Sequence, residues 1–167
     1  MVRDLEVLLQ RSIEFENVIF SHLESCKFRD DDRSQLVIGL CSLAFEHGGA
    51  LREMLAAGRP TSGVAMLRLQ YEALVRALWL QYAASDLGVA KLIAPLTNES
   101  AQKASNAQAS IADMLKDIDA KGPRGLFRHL NEFKDYSWRP LNSYVHIVVF
   151  MQCGAMLRGF QFIFLLP

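Results

Sequence analysis

The chain has 167 residues, a length that suits one domain with a sizeable single core. Hydrophobic residues make up 51% of the chain, charged residues 22%, and the formal net charge is zero. This composition argues against a disordered chain and against a generally basic nucleic-acid-binding protein. We therefore predict a single folded domain over residues 1–167.

Apolar residues recur at helical spacing over residues 3–25, with charged residues on the opposite side. This pattern predicts an amphipathic first helix. The following run, KFRDDDR at 27–33, predicts a turn. The residues that can cap the next helix through a side-chain oxygen are Asp31, Asp32 and Ser34.

The second helix is predicted over residues 34–57, because Gly58-Arg59-Pro60 is a clear stop signal. The run Glu46-His47-Gly48-Gly49 is expected to interrupt this helix. Each glycine inside a helix costs about 1 kcal/mol relative to alanine. The pair therefore predicts a bend or a close approach by a neighbouring element.

The stretch 61–84 is apolar on nearly all sides of a helical wheel, which is typical of a central, buried helix. Thr61 or Ser62 is expected to cap it. Three charged residues lie at positions i, i+4 and i+8 and form one charged stripe along it: Arg68, Glu72 and Arg76.

The charged stripe has two interpretations. In the first, i,i+4 pairing makes a self-neutralising ladder on whichever side of the helix meets water. In the second, the stripe is largely buried and lines a pocket, since buried charges are costly unless they are paired or serve a function. Two arginines against one glutamate would then leave one guanidinium for an anion such as phosphate or carboxylate.

The rest of the chain predicts further helices. A short connection at 85–95 precedes a more solvated helix at 96–120 and a short helix at 126–133. After a loop at 135–139, Pro140 suits the first position of a last helix. No strand alternation stands out, so five or six helices with short turns predict an all-α, single-domain helical bundle.

The cysteines and the apolar segments bear on location. Three scattered cysteines, an odd number in no metal-ligand spacing, predict reduced, mostly buried thiols and no metal site. The most apolar run, residues 144–157, contains His146 and is too short to span a membrane. No signal peptide is visible, and we predict a cytoplasmic protein without membrane association.

The best candidate for catalytic chemistry lies in residues 138–146, because no P-loop, HExxH or CxxC motif is present. In a helix that begins at Pro140, Asn142 and His146 share a face, and Arg139 lies at its N-terminal edge. Histidine acts as a general acid or base near neutral pH, and arginine holds a phosphate. Asn142 is expected to orient the imidazole or a substrate group.

Arg139, six intervening residues and His146 resemble the Arg-x(4–6)-His signature of the HEPN superfamily. Its members are small all-α domains, and many are metal-independent endoribonucleases of bacterial toxin–antitoxin and phage-defence systems. The resemblance implies an HEPN-like bundle that forms a homodimer and needs no cofactor. It also implies that Arg139 and His146 lie at the dimer interface and cleave RNA through its 2′-hydroxyl.

A second resemblance covers more of the chain. The chain is similar to an uncharacterised bacterial all-helical family with the pattern EH…LxRxxxEAxxRxxWL…LNxYVH. The residues that carry the resemblance are Glu46-His47, Leu67-Arg68, Glu72-Ala73, Arg76, Trp79-Leu80 and the run LNSYVH at 141–146. That resemblance implies a helical fold and a bacterial origin but no activity.

The polar residues of the most apolar helices suggest one shared pocket. We predict that they converge between the second, third and last helices, where adjacent charges would tune an imidazole. The residues in this prediction are His47, Arg68, Glu72, Arg76 and His146.

Two functions follow from these features. The first is a metal-independent endoribonuclease of a toxin or phage-defence type, with His146 as general acid or base, Arg139 contacting phosphate and Asn142 in support. The alternative is a non-catalytic helical module. It would bind a protein partner or a small anionic ligand through the charged stripe.

Overall fold

The computed structural model describes residues 2–94 and 109–145, with side chains at 4–94, 109–138 and Leu141. These segments contain helices and no strand, so the all-α prediction is confirmed. The six helices in them are α1 (Val2–Leu23), α2 (Asp32–Ala56), α3 (Pro60–Tyr82), α4 (Asp86–Ile93), α5 (Ile111–Lys121) and α6 (Leu126–Val145).

The central helix is α3, as its nearly all-round apolar surface predicted. It packs against α2 along one side and against α5 and α6 along another. Tyr71 and Val75 of α3 meet the apolar side of α5 and Leu130 of α6, and these residues form the main core. From α5 the buried side chains are Met114, Leu115 and Ile118.

The first residues of the helices follow local rules. Asp31 caps α2, since its carboxylate accepts a hydrogen bond from the backbone amide of Ser34 at 2.9 Å. The expected cap by Thr61 or Ser62 is wrong, because α3 already begins at Pro60. Proline suits that first position, since its missing N–H has no partner there anyway.

The glycine pair of α2 does not interrupt the helix, which runs without a break from Asp32 to Ala56. The predicted close approach is confirmed at Gly48. A Cβ atom at this position would lie 2.6 Å from Nε2 of Gln70 on α3. Gly48 therefore lets the amide of Gln70 lie against the backbone of α2.

The last described helix differs from its prediction. The expected loop at 135–139 is helical, and α6 continues through Pro140 to Val145. Two contacts hold the intervening turn: Asn131 donates to Asp135 at 2.8 Å, and the Trp138 ring lies 5.6 Å from the Tyr71 ring. This packing on α3 outweighs the preference of proline for a helix start.

The connection expected at 85–95 contains more helix than one turn. It forms the eight-residue α4, which Ser85 caps by accepting from the amide of Gly88. In the predicted helix at 96–120, the described part begins at α5, with Ser110 as its cap. The residues from 95 to 108 lie outside the described part of the chain.

The first helix, α1, lies at the periphery. The Phe20 ring packs against the Phe45 ring of α2 at 4.8 Å between centroids. Arg52 of α2 pairs with Glu16 and also donates to Ser12 at 3.4 Å. Few other contacts hold α1 on the bundle, so several of its large apolar residues remain exposed.

Two further predictions concern the thiols and the membrane. Cys26 and Cys41 are both free, as predicted, but Cys26 is exposed because it follows the end of the peripheral α1. Cys41 is half-buried, and this burial raises the pKa of its thiol. Among the helices over 2–94 and 109–145, none combines the length and hydropathy needed to cross a bilayer.

Candidate functional site

Arg68 and Glu72, the first two members of the charged stripe, form an ion pair. Nε of Arg68 donates to Oε1 of Glu72 at 2.9 Å, and the two side chains are only 18% and 20% exposed. The Arg68 guanidinium also lies over the Trp138 ring of α6, 5.4 Å from its centroid. Both charges are therefore satisfied within the bundle, and they link α3 to α6.

Arg76, the third member, has no such partner. Its Nη1 atom is buried and makes no hydrogen bond within the described residues. A buried donor without an acceptor costs about 1–3 kcal/mol, and most buried polar groups in proteins do have a partner. The surplus guanidinium foreseen in the second interpretation of the stripe is thus Arg76.

Carboxylates on the neighbouring elements are engaged elsewhere. Oδ2 of Asp117 on α5 accepts from the indole Nε1 of Trp79 at 2.9 Å. Asp86 at the start of α4 pairs with Arg33 at 2.7 Å, and Arg33 also donates to the backbone carbonyl of Leu80. Glu72, one turn away on α3, is taken by Arg68. These three carboxylates therefore bind other residues and not Arg76.

Arg76 lines a cavity of about 470 Å³ where α2, α3, α4 and the beginning of α5 meet. We call this space the Arg76 cavity. Its walls are mainly apolar and include Leu36 and Leu40 of α2 and Trp79 of α3. Lys91 of α4, which is exposed, adds a second positive charge at the edge, and no acidic residue of the described chain lines the space.

This arrangement suits a particular chemistry. Small-molecule sites are typically cavities of about 300–1,000 Å³ with apolar walls and a few polar groups that fix orientation. In the Arg76 cavity the polar groups with formal charge are both cations. A ligand that matches it has an apolar body and one anionic group.

The remaining predicted site residues are not brought to this cavity. His47 on α2 is half-buried, makes no hydrogen bond within the described residues and does not line the Arg76 cavity. Arg139 and Asn142 lie on α6, but their side chains are outside the described part, and so is the whole of His146. The Arg68–Glu72 contact is the i,i+4 pair of the first interpretation, and the convergence of these residues with His146 stays a prediction.

Lys91 is the site residue that sequence reasoning missed. It lies in the stretch predicted as a short connection, and a single lysine in a solvated segment carries no signal of its own. Its place at the cavity depends on how α4 packs beside α2, which is a tertiary contact. Only the placement of Arg68, Glu72 and Arg76 at positions i, i+4 and i+8 could be read from the sequence.

Comparison with known proteins gives a family without an assigned activity. The model of DUF6988, a family of unknown function, matches residues 41–147, which include the charged stripe and most of α2 to α6. No curated protein and no solved structure matches the chain significantly. Within the described residues, no group of three or more His, Cys, Asp or Glu side chains is placed to hold a metal ion.

Proposed function

We propose that this chain, which belongs to the DUF6988 family, is a binding module for a small amphipathic anion. The observation that carries the proposal is the buried, unpartnered Nη1 of Arg76 in the wall of an apolar cavity. A guanidinium in this state gains most from a bound anion, because the ligand satisfies its donor and its charge together.

The ligand class follows from the lining. A carboxylate or a phosphate monoester has two or more oxygens, and these match the forked donors of an arginine. The aliphatic side chains of α2 and the Trp79 ring favour an alkyl or aryl body rather than a sugar. Lys91 at the exposed edge attracts the same anion, but solvent screens this attraction and makes it weaker than that of Arg76.

Trp79 provides the direct test, because it lines the cavity and Trp138 is the second of the two tryptophans in the chain. In a Trp138→Phe protein, Trp79 fluorescence is titrated with decanoate below its micelle-forming concentration. We expect saturable binding of decanoate, and at least about tenfold weaker binding of decanol, which lacks the charge. Inorganic phosphate alone, without an apolar body, is expected to bind more weakly than decanoate.

Variants separate the cavity from general charge effects. Arg76→Met removes the charge but keeps an apolar side chain, and we expect it to weaken decanoate binding at least about tenfold. Lys91→Met is expected to have a smaller effect because Lys91 is exposed. Arg124→Met removes an exposed arginine outside the cavity and should bind as the parent does. Equal binding by the Arg76 and Arg124 variants would refute the proposal.

The ribonuclease hypothesis rests on sequence alone and stays a prediction. It needs Arg139, Asn142 and His146, together with the HEPN-like dimer, the bacterial origin and the cytoplasmic location that accompany it. Cleavage of a labelled mixed-sequence RNA in chelator, lost in His146→Ala, would support this activity. A wild-type protein that leaves the RNA intact would count against it.

A further inference from the structure

We propose that α1 is the interface of a homodimer, in which the α1 helices of two copies pack antiparallel around a two-fold axis. This proposal is independent of the Arg76 cavity. It rests on the exposure, spacing and charge of residues on the outer side of α1.

The outer side of α1 exposes large apolar residues. Val7 and Val18 are both 54% exposed. Leu8 and Phe15, on the flank between the outer side and the bundle, are 63% and 68% exposed, and Phe15 also lines the space between α1 and the bundle. The opposite side, with Leu9 and Glu16, is less exposed, and Glu16 pairs with Arg52 of α2. Large apolar side chains exposed near one another on a helix indicate an interaction site.

Four residues of this outer side lie in one line along the helix. They are separated by four, three and four positions, the spacing of residues on one helical face. We call this line the outer stripe: Val7, Arg11, Glu14 and Val18.

The order of the outer stripe identifies a second copy as the occupant. The stripe has a valine at each end and opposite charges in the middle, so it is complementary to itself when reversed. In an antiparallel pair, Val7 of one copy faces Val18 of the other, and Arg11 faces Glu14 twice. Such self-complementarity is what a two-fold interface requires.

The charges are free to make these contacts. Arg11 has no ion pair within the described residues, and Glu14 accepts a hydrogen bond only from Gln10 of the same helix, at 3.1 Å. Two Arg11–Glu14 pairs would fix the register of the helices. A parallel pair in register would instead oppose Arg11 to Arg11 and is disfavoured by repulsion.

Leu8 and Phe15 extend the contact. They are seven residues apart and lie on the same side of the outer stripe, because seven residues make nearly two helical turns. A two-fold axis between antiparallel helices brings the same side of each copy together. Leu8 and Phe15 of both copies would therefore form one apolar strip beside the charged pairs.

Sedimentation equilibrium of the full chain over a range of concentrations measures this association. We expect a monomer–dimer equilibrium with a limiting mass twice the chain mass of 18.8 kDa. Arg11→Glu alone and Glu14→Arg alone each replace two attractive pairs by two repulsive ones. Each single variant should raise the dissociation constant at least about tenfold.

The double variant is the decisive arm. Arg11→Glu with Glu14→Arg exchanges the charges and restores both pairs, so its dissociation constant should return to within about threefold of the wild type. Glu6→Arg, on α1 but off the outer stripe, is the control and should leave dimerisation unchanged. Circular dichroism verifies that the variants keep their helix content.

Three results would overturn the proposal. A wild-type protein that stays monomeric at all concentrations would show that α1 does not pair with a second copy. A dimer that persists in both single variants uses another surface. A double variant that remains as weak as the single variants shows that Arg11 and Glu14 do not face each other.

Discussion

The guanidinium of Arg76 lowers the stability of the free protein but favours the binding of an anion. Its buried Nη1 has no acceptor within the described residues, so the chain keeps it at a cost in folding free energy. Arg68, two turns earlier, is the counterexample, since Glu72 and the ring of Trp138 satisfy it. The two arginines should therefore respond oppositely to the same substitution.

Without ligand, Arg76→Met is expected to leave the free energy of unfolding unchanged or to raise it by about 1 kcal/mol, because it removes an unsatisfied buried donor. Arg68→Met should lower it by about 1–3 kcal/mol, because it leaves Glu72 unpaired in a mostly buried position. Urea unfolding at neutral pH measures both. A loss at Arg76 as large as that at Arg68 would make Arg76 a structural residue.

Tyr71 predicts a pH dependence. Burial, with a smaller effect of the nearby Asp135 carboxylate, raises its pKa to about 12, and its hydroxyl donates to the Leu130 carbonyl at 2.9 Å. The folded state thus retains a proton that the unfolded chain releases near pH 10. Stability from this proton is full below about pH 10 and is lost as the pH rises towards 12.

The Tyr71→Phe variant isolates this effect. At neutral pH it should be less stable than the wild type by about 1 kcal/mol, the typical net worth of one hydrogen bond. Between pH 10 and 12 the wild type should lose up to about 3 kcal/mol relative to the variant, since two pKa units correspond to roughly that energy. Urea unfolding over this range checks it. A constant difference between the proteins would contradict it.

At the scale of the element, local signals succeeded where they were strong. The Asp31 cap and Gly58, the first residue of the stop signal, lie within two residues of the ends of α2. The nearly all-round apolar pattern of residues 61–84 predicted a central helix. It succeeded because α3 contacts three other helices, so most of its sides are covered. The α6 prediction failed because Pro140 favours a helix start locally, whereas contacts of Trp138 with α3 decide the outcome.

The two glycines of α2 give a matched test of what a close approach costs. Replacing a helical glycine by alanine gains about 0.5–1 kcal/mol where nothing opposes it. Gly49 has only the end of the Arg52 side chain nearby, at 3.9 Å, so Gly49→Ala should gain this amount. Gly48→Ala should gain less, because the new methyl group displaces the Gln70 amide.

Thermal or urea unfolding of the two variants side by side makes this comparison. The helix propensity term is the same at both positions, so the difference between them reports the contact with Gln70 alone. Adding Gly48→Ala to a Gln70→Ala protein should raise its free energy of unfolding, relative to Gln70→Ala alone, by the amount that Gly49→Ala adds to the wild type. A larger gain at Gly48 than at Gly49 would mean that α3 does not press on α2 there.

At the scale of the whole molecule, the sequence predicted the unpaired arginine of the candidate site but not the cavity around it. The surplus of arginine over glutamate on α3 indicated a free cation, because charge and spacing are local properties. The cavity itself and its second cation, Lys91, arise from the meeting of four elements. No local pattern encodes such a meeting, since it depends on the order in which apolar sides pack.

Ligand binding at this junction should stabilise the entire fold. A ligand that binds only the folded state adds RT ln(1 + [L]/Kd), which is about 2.7 kcal/mol at one hundred times the dissociation constant. Decanoate at that level should raise the stability of the wild type by about this amount. It should add at most about 1.4 kcal/mol to Arg76→Met, whose binding is at least about tenfold weaker, so the wild type should become the more stable protein when the ligand is added.

This reversal distinguishes a binding residue from a structural one more sharply than either measurement alone. A structural arginine would leave the variant below the wild type with and without ligand. An apolar cavity that ignores charge would raise both proteins equally, and decanol would serve as well as decanoate. Helical circular dichroism and Trp79 fluorescence should shift together, because the Arg76 cavity is built from the helices that form the body of the bundle.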